Sequence, residues 1–143
     1  MTSVIFHSVS APYEEALVDK LREASYEVIV VSTAAELVAG VNAGAAGLIC
    51  NMQDTEVAET VLDLMKPGFS SGSGSFPKTI FLSTLLSWGG KNYAGAAIET
   101  TPEALATRRP TLGCLDTFRL ENQCRVVATS RGVSAHVIGV GSV

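Results

Sequence analysis

Five short apolar runs recur along this chain, each separated from the next by a stretch with helical spacing. They are Val4-Ile5-Phe6, Val28-Ile29-Val30-Val31, Leu48-Ile49-Cys50, Thr79-Ile80-Phe81-Leu82 and the segment from Ala135 to Val140. The runs are apolar at successive residues and not at every second one, so both faces of each strand have to be covered. Strands of this kind alternating with amphipathic helices are the pattern of a parallel sheet with helices on each face. The expected fold is a Rossmann-like α/β domain with a mostly parallel five-stranded sheet. Its strands should lie near residues 4–8, 27–31, 47–51, 79–83 and 135–140, with His7, Asn51 and Ser83 at one sheet edge. The last run leads directly into Val143, and the expectation is a sheet incomplete on its C-terminal side.

Punctuation between the runs supports this division. Ser10 is a candidate N-cap with Pro12 near the first helical position, opening a helix to about Ser25 with Tyr13, Ala16, Leu17, Leu21 and Ala24 on one face. Thr33-Ala34-Ala35-Glu36 fits a capping box, in which hydroxyl and carboxylate each satisfy an orphan amide. Asp54 or Thr55 caps a third helix, ended by Pro67-Gly68. The stretch from about 67 to 77, with Phe69-Ser-Ser-Gly-Ser-Gly-Ser-Phe-Pro77 at its centre, reads as a flexible loop. One helical turn is expected after Thr101-Pro102, and a helix from about Asp116 to Ser130 that stops at Gly132.

The chain has 143 residues, which makes a single domain over 1–143 the expectation. With 47% apolar residues and only 17% charged ones, the composition excludes disorder and suggests surface covered by partners. A net charge of −4 gives no general attraction to nucleic acid or anionic lipid. No apolar run approaches the roughly 18 residues of a membrane span, and the start lacks the basic region of a signal peptide. Cys50, Cys114 and Cys124 are odd in number and lack CxxC spacing, so a disulfide framework or zinc knuckle is not expected and a reducing, cytoplasmic compartment is. His7 and His136 are too few for a histidine-rich metal site. Charge is split along the chain: two basic and ten acidic residues up to Met65 (net −8), eight basic and four acidic from Lys66 onward (net +4). Such a dipole can orient a domain on a partner.

In a dinucleotide-binding domain, the first strand–helix turn carries glycines so that helix N-terminal amides reach the pyrophosphate. Here Ser8, Ala11 and Glu14 stand at the spaced-glycine positions. A carboxylate in the first helical turn competes with the phosphate it should help to bind, and the second strand ends in Val31-Ser32-Thr33 without an acid for the ribose. No bound cofactor is therefore expected. Gly89-Gly90-Lys91 lacks the leading glycine of a P-loop, since Leu85 occupies it, and Gly139-x-Gly141 runs off the chain end. A receiver domain would need acids after the first strand and an aspartate after the third, where this chain has His7-Ser8 and Asn51.

Leu82-Ser83-Thr84 resembles the strand end at which extended short-chain dehydrogenases place a catalytic serine or threonine. That family's Tyr-x-x-x-Lys falls at Gly113 and near Thr117, its Arg-Pro-Gly at Gly139-Val140-Gly141, and Tyr93 has no lysine four residues on. The resemblance implies a dehydrogenase-like fold without the acid that hydride transfer needs. Phe81-Leu-Ser-Thr-Leu-Leu-Ser-Trp88, Lys91, Thr101-Pro-Glu, Arg108-Arg109-Pro110 and Leu120-Glu-Asn together resemble the N-terminal region of the adenylate kinase 7 family of ciliary proteins. The likeness is strongest from Ile80 to about Val140, whereas the long acidic insertion expected after the first helix is absent.

It implies a degenerate NAD(P)-binding-like Rossmann domain serving as a non-catalytic subunit of an axonemal assembly, near radial spokes or the central apparatus. The implied partners are other axonemal proteins, with no membrane, nucleic acid, metal or catalytic residue, and Arg108, Arg109, Arg119 and Arg125 as candidate interface. The alternatives are a short-chain dehydrogenase relative that retains NAD(P) or nucleotide binding, and a split piece of an adenylate kinase, although no P-loop supports kinase activity. Trp88 is expected to pack at the sheet edge, Cys50 to be buried and inert, and Ser83-Thr84 to bond local backbone.

Overall fold

A computed structural model describes residues 2–65, 76–84, 115–131 and 134–140. In chain order the elements are β1 (Ser3–His7), α1 (Glu14–Glu23), β2 (Glu27–Val31), α2 (Ala34–Asn42), β3 (Gly47–Asn51), α3 (Thr55–Met65), β4 (Lys78–Thr84), α4 (Leu115–Arg131) and β5 (Ala135–Val140). Each expected strand is present, none displaced by more than one residue. The loop centred on Phe69 to Pro77, the turn after Thr101-Pro102, Trp88, Lys91, Tyr93, Arg108, Arg109, Gly113 and Cys114 lie wholly or largely outside the described residues.

The five strands form one sheet in the order β2-β1-β3-β4-β5. Every pairing is parallel, with Ile5 opposite Ile29 on one side and Leu48 on the other, and Cys50 opposite Phe81. The chain winds outward from β1 to β2, then crosses back over β1 to build β3, β4 and β5. That reversal leaves a crevice at the C-terminal ends of β1 and β3, where ligands of open α/β sheets bind. A full dinucleotide-binding half carries another strand outside β2. Here β2 is an edge.

Right-handed crossovers put helices wound in opposite directions on opposite faces. One face packs Ile5, Leu48, Cys50 and Phe81 under α2, α3 and α4, through Leu37, Val41, Val57, Val61, Leu120 and Cys124. Among the described residues, the other packs Val4, Phe6, Val28, Ile49 and Leu82 under α1, through Val18 with Leu17 and Leu21. Gly40 lets α2 approach closely, because a Cβ there would meet Ile5 Cδ1 at 2.6 Å.

Helix ends follow the sequence in two of three cases. Thr33 caps α2, its Oγ1 accepting the Glu36 amide at 3.2 Å and its hydroxyl donating to Glu36 Oε1 at 3.0 Å. Asp54 Oδ1 accepts the Val57 amide at 3.3 Å and caps α3. The exception is Ser10. It sits at φ 60°, and the N-cap of α1 is Tyr13, which makes no side-chain cap bond. The helix starts three residues later than a Ser10 cap would place it, past Pro12, and the Glu14 carboxylate ties the preceding turn through Ser8 and Val9.

The C-terminal ends of α1 and α2 repeat one motif. After α1, the Ser25 and Tyr26 amides donate to the Arg22 and Leu21 carbonyls. After α2, the Gly44 and Ala45 amides donate to Val41 and Gly40. The left-handed residue of this arrangement is normally glycine. Gly44 fills it at φ 90°, but Ser25 fills it at φ 69° with a side chain attached.

Candidate functional site

The crevice at the β1–β3 reversal is the place a phosphate ligand would occupy, and its floor is the turn from Ser8 to Tyr13. Glu14, the first residue of α1, folds its carboxylate back over this turn. Oε1 accepts the Val9 amide at 2.9 Å, and Oε2 accepts the Ser8 hydroxyl at 2.6 Å. Ser8 Oγ in turn accepts the Ser10 amide at 3.1 Å. Glu14 is only 6% exposed, so its charge is held within the turn and beside the positive end of the helix. Ser8 and Ala11 are half-buried in the same turn. The three degenerate positions named from sequence thus come together, and the carboxylate among them occupies the donors a phosphate would need.

Beside this turn lies a buried polar cluster. His7 is fully buried at the end of β1. Its Nδ1 accepts the Asn51 amide at 3.4 Å, which leaves the ring proton on Nε2. Nε2 lies 3.4 Å from Asp54 Oδ2 yet makes no hydrogen bond there. Burial holds the His7 pKa below its ordinary value, against the opposing pull of Asp54 and Glu14. Asn51 Nδ2 donates to the Tyr13 hydroxyl at 2.8 Å, and Asn51 Oδ1 accepts the Gln53 amide at 2.9 Å. Burial and the nearby Glu14 push the Tyr13 phenol up, so it stays protonated. Every member except His7 Nε2 is committed to holding a turn or a helix start.

Further along the same sheet edge, Ser83 is buried one residue before the end of β4. Its hydroxyl donates to Glu121 Oε1 of α4, in a contact between two buried side chains. Ser83 is therefore tied to a helix and not to local backbone as the sequence suggested. Thr117, near the dehydrogenase lysine position, lies on α4 one turn before Glu121. The Cys50 thiol is raised strongly by burial, and Cys124 is pushed up to about 11 by burial, so neither is a nucleophile.

Two of the four candidate interface arginines are described. Arg119 Nη2 reaches Glu59 Oε1 of α3 at 2.9 Å, and Arg125 Nη1 donates to Asn122 Oδ1 at 3.2 Å. Arg119 thus ties α4 to α3 across the exposed side of their packing.

Comparison with family models, with curated proteins and with solved structures finds no match to this chain. Among the described residues no helix is long and apolar enough to cross a membrane, and no three His, Cys, Asp or Glu side chains converge as for a metal ion.

Two features were not identified from sequence. Glu121 appeared there only inside Leu120-Glu-Asn, although a glutamate flanked by the core-forming Leu120 and Cys124 is a signal of a buried acid. The approach of His7 to Asp54 had no local signal, because forty-six intervening residues, counted from the sequence, separate them.

Proposed function

We propose that this chain is a non-catalytic, Rossmann-like interaction module, a subunit of a ciliary or flagellar axonemal assembly. The observation that carries the non-catalytic part is the Glu14 carboxylate on the Val9 amide and Ser8 hydroxyl. A diphosphate entering the crevice has to displace a bound carboxylate and meets its charge. Repulsion at several ångströms in a partly exposed site is on the order of 1 kcal/mol. Each lost charge-assisted hydrogen bond adds roughly 1.5–3 kcal/mol. Together these take a micromolar site to millimolar or weaker. The Ser83 hydroxyl, held by Glu121, supports the same reading at the strand end where the resembled dehydrogenases place a catalytic serine or threonine.

The axonemal part is supported by the sequence resemblance to the adenylate kinase 7 family, carried by Phe81 to Trp88, Arg108-Arg109-Pro110 and Leu120-Glu-Asn. The basic second half of the chain, with Arg108 and Arg109, is the proposed contact to neighbouring axonemal proteins. Two measurements test this. Calorimetry with NAD, NADP and ATP should give no binding at sub-millimolar concentration, and micromolar binding of any of them overturns the non-catalytic reading. Co-purification from an axonemal extract should recover the chain with axonemal proteins, and the folded double variant Arg108→Glu, Arg109→Glu should be lost from the assembly. Unchanged incorporation of that variant removes the arginine contact.

A further inference from the structure

We propose that the outer edge of β2 is a docking site for an extended, basic segment of a partner protein, which joins the sheet as a further strand. The inference rests on the reading of the chain as an interaction module and names where and what it binds.

In a parallel ladder, alternate residues turn their main-chain groups to opposite sides. The Glu27 amide donates to Thr2, and the Val31 carbonyl accepts from Ser8, so Glu27, Ile29 and Val31 face β1. Val28 and Val30 therefore turn their amides and carbonyls away from the sheet. The same side is already satisfied at both flanks. Tyr26 donates to the Leu21 carbonyl at 3.1 Å, and the Ser32 amide donates to Glu36 Oε1 at 3.4 Å. Between these stops lies one short open strip, at Val28 and Val30.

Val28 is buried under α1, but the apolar side chains beside it are uncovered. Val30 is 48% exposed on the α1 face and Ile29 is 39% exposed on the α2 face. Sheet edges are ordinarily protected by lysine, proline or a bulge. The sequence Glu27-Val-Ile-Val-Val31 has none of these among its central residues. Strand addition to such an edge draws affinity from main-chain bonds and specificity from alternate side chains.

Charge selects the occupant. A cleft of about 390 Å³ runs from the β1–α1 turn, at Ser8, Ala11 and Glu14, along the α1 side of the edge to Val30, with Glu15, Asp19 and Arg22 also lining it. Glu27 opens the strand, and Glu36 stands beyond its end. The surroundings are acidic, within a half-chain of net −8. An added strand would set one row of side chains over the acidic cleft and the other beside Ile29, so lysine or arginine alternating with apolar residues fits. A second copy of this chain fits poorly. Two-fold pairing of β2 with β2 would bring both α1 helices to the same side, each with Glu15 and Asp19.

The test uses the full chain and synthetic peptides of about nine residues, a usual strand length, alternating lysine with valine or glutamate with valine. The lysine peptide should bind and should slow hydrogen exchange at the Val28 and Val30 amides by about tenfold or more. Val30→Pro removes one outward donor without removing a ladder bond, and should weaken binding by about tenfold. The double variant Glu15→Lys, Asp19→Lys leaves β2 untouched and should weaken it comparably, with unchanged circular dichroism. Equal binding of the glutamate peptide, or no binding of the lysine peptide, overturns the proposal. So does lysine-peptide binding insensitive to both variants, or concentration-dependent self-association that protects the same amides. None of these outcomes alters co-purification with axonemal proteins, and nucleotide binding would overturn the module without affecting the peptide result.

Discussion

The same chemical device closes the molecule in two places. At the β1–α1 turn, Ser8 donates to Glu14, and at the end of β4, Ser83 donates to Glu121. The partners differ in origin. Glu14 is six residues from its serine and takes a backbone amide as well, so the turn ties itself. Glu121 is thirty-eight residues from Ser83 and lies on a separate helix, so its bond fastens α4 to the sheet. The local bond shapes one turn, while the remote bond is part of the fold. Losing them should therefore differ in kind: one change opens a turn, and the other loosens a layer.

The largest expected effect is that of Glu121→Ala. It strands the Ser83 hydroxyl and leaves a void beside Leu120, and should lower unfolding free energy by about 3 kcal/mol in a denaturant titration. A double-mutant cycle with Ser83→Ala should return a coupling of roughly 1–3 kcal/mol, and additive losses would break the proposed tie. Glu14→Ala should cost less, about 1–2 kcal/mol, because water can reach part of the vacated turn. If both glutamate variants lose the same stability, the contrast between local and remote closure fails.

Replacing Ser25 with glycine should stabilise the chain by about 1 kcal/mol, since only the side chain is strained at that φ. Gly44 at the matching end of α2 is the internal control, and Gly44→Ser should move stability the opposite way in thermal melts.

His7 gives a pH dependence that separates the crevice from the remote bond. Its folded pKa lies below the unfolded value of about 6.5. The neutral ring therefore stabilises the fold above that value. As pH falls below it, the unfolded chain takes up the proton first, and stability declines until the folded pKa is passed. The slope in this window is at most ~1.4 kcal/mol per pH unit. His7→Asn should flatten it. A slope of the opposite sign would mean that Asp54 outweighs burial.

Arg119→Ala should produce the smallest change. Its pairing with Glu59 is about half-exposed at both ends and is worth roughly 0.5 kcal/mol or less.

The strands were legible because burial on both faces writes itself into consecutive apolar residues, as in Leu48 to Cys50. The capping box at Thr33 and the Asp54 cap were legible because each is closed within four residues. Glu14 was legible as an obstacle to phosphate for the same local reason. Ser10 misled, since a serine before a proline has the chemistry of a cap whether or not the chain turns helical there. Strand order was not written locally at all: which side of β1 receives β3 depends on the crossover after α2. The Glu121 and Asp54 contacts likewise required the topology to bring distant segments together. The exposed edge at Ile29 and Val30 was hidden for a related reason, because an apolar run looks the same in a central strand and at an open edge.

The unequal covering of the two sheet faces sets an order of opening. Among the described residues three helices share one face, while α1 holds the other by Val18, Leu17 and Leu21 and ends on the strained Ser25. Local opening draws on the least-buried unit first. The α1 amides should therefore exchange with solvent faster than those of α3, by a route that leaves the rest of the sheet intact. The same motion would lift Glu15 and Asp19 away from β2. A strand seated beside Val30 would hold α1 down, and would appear in exchange measurements as slower opening of a whole helix beyond its direct contacts.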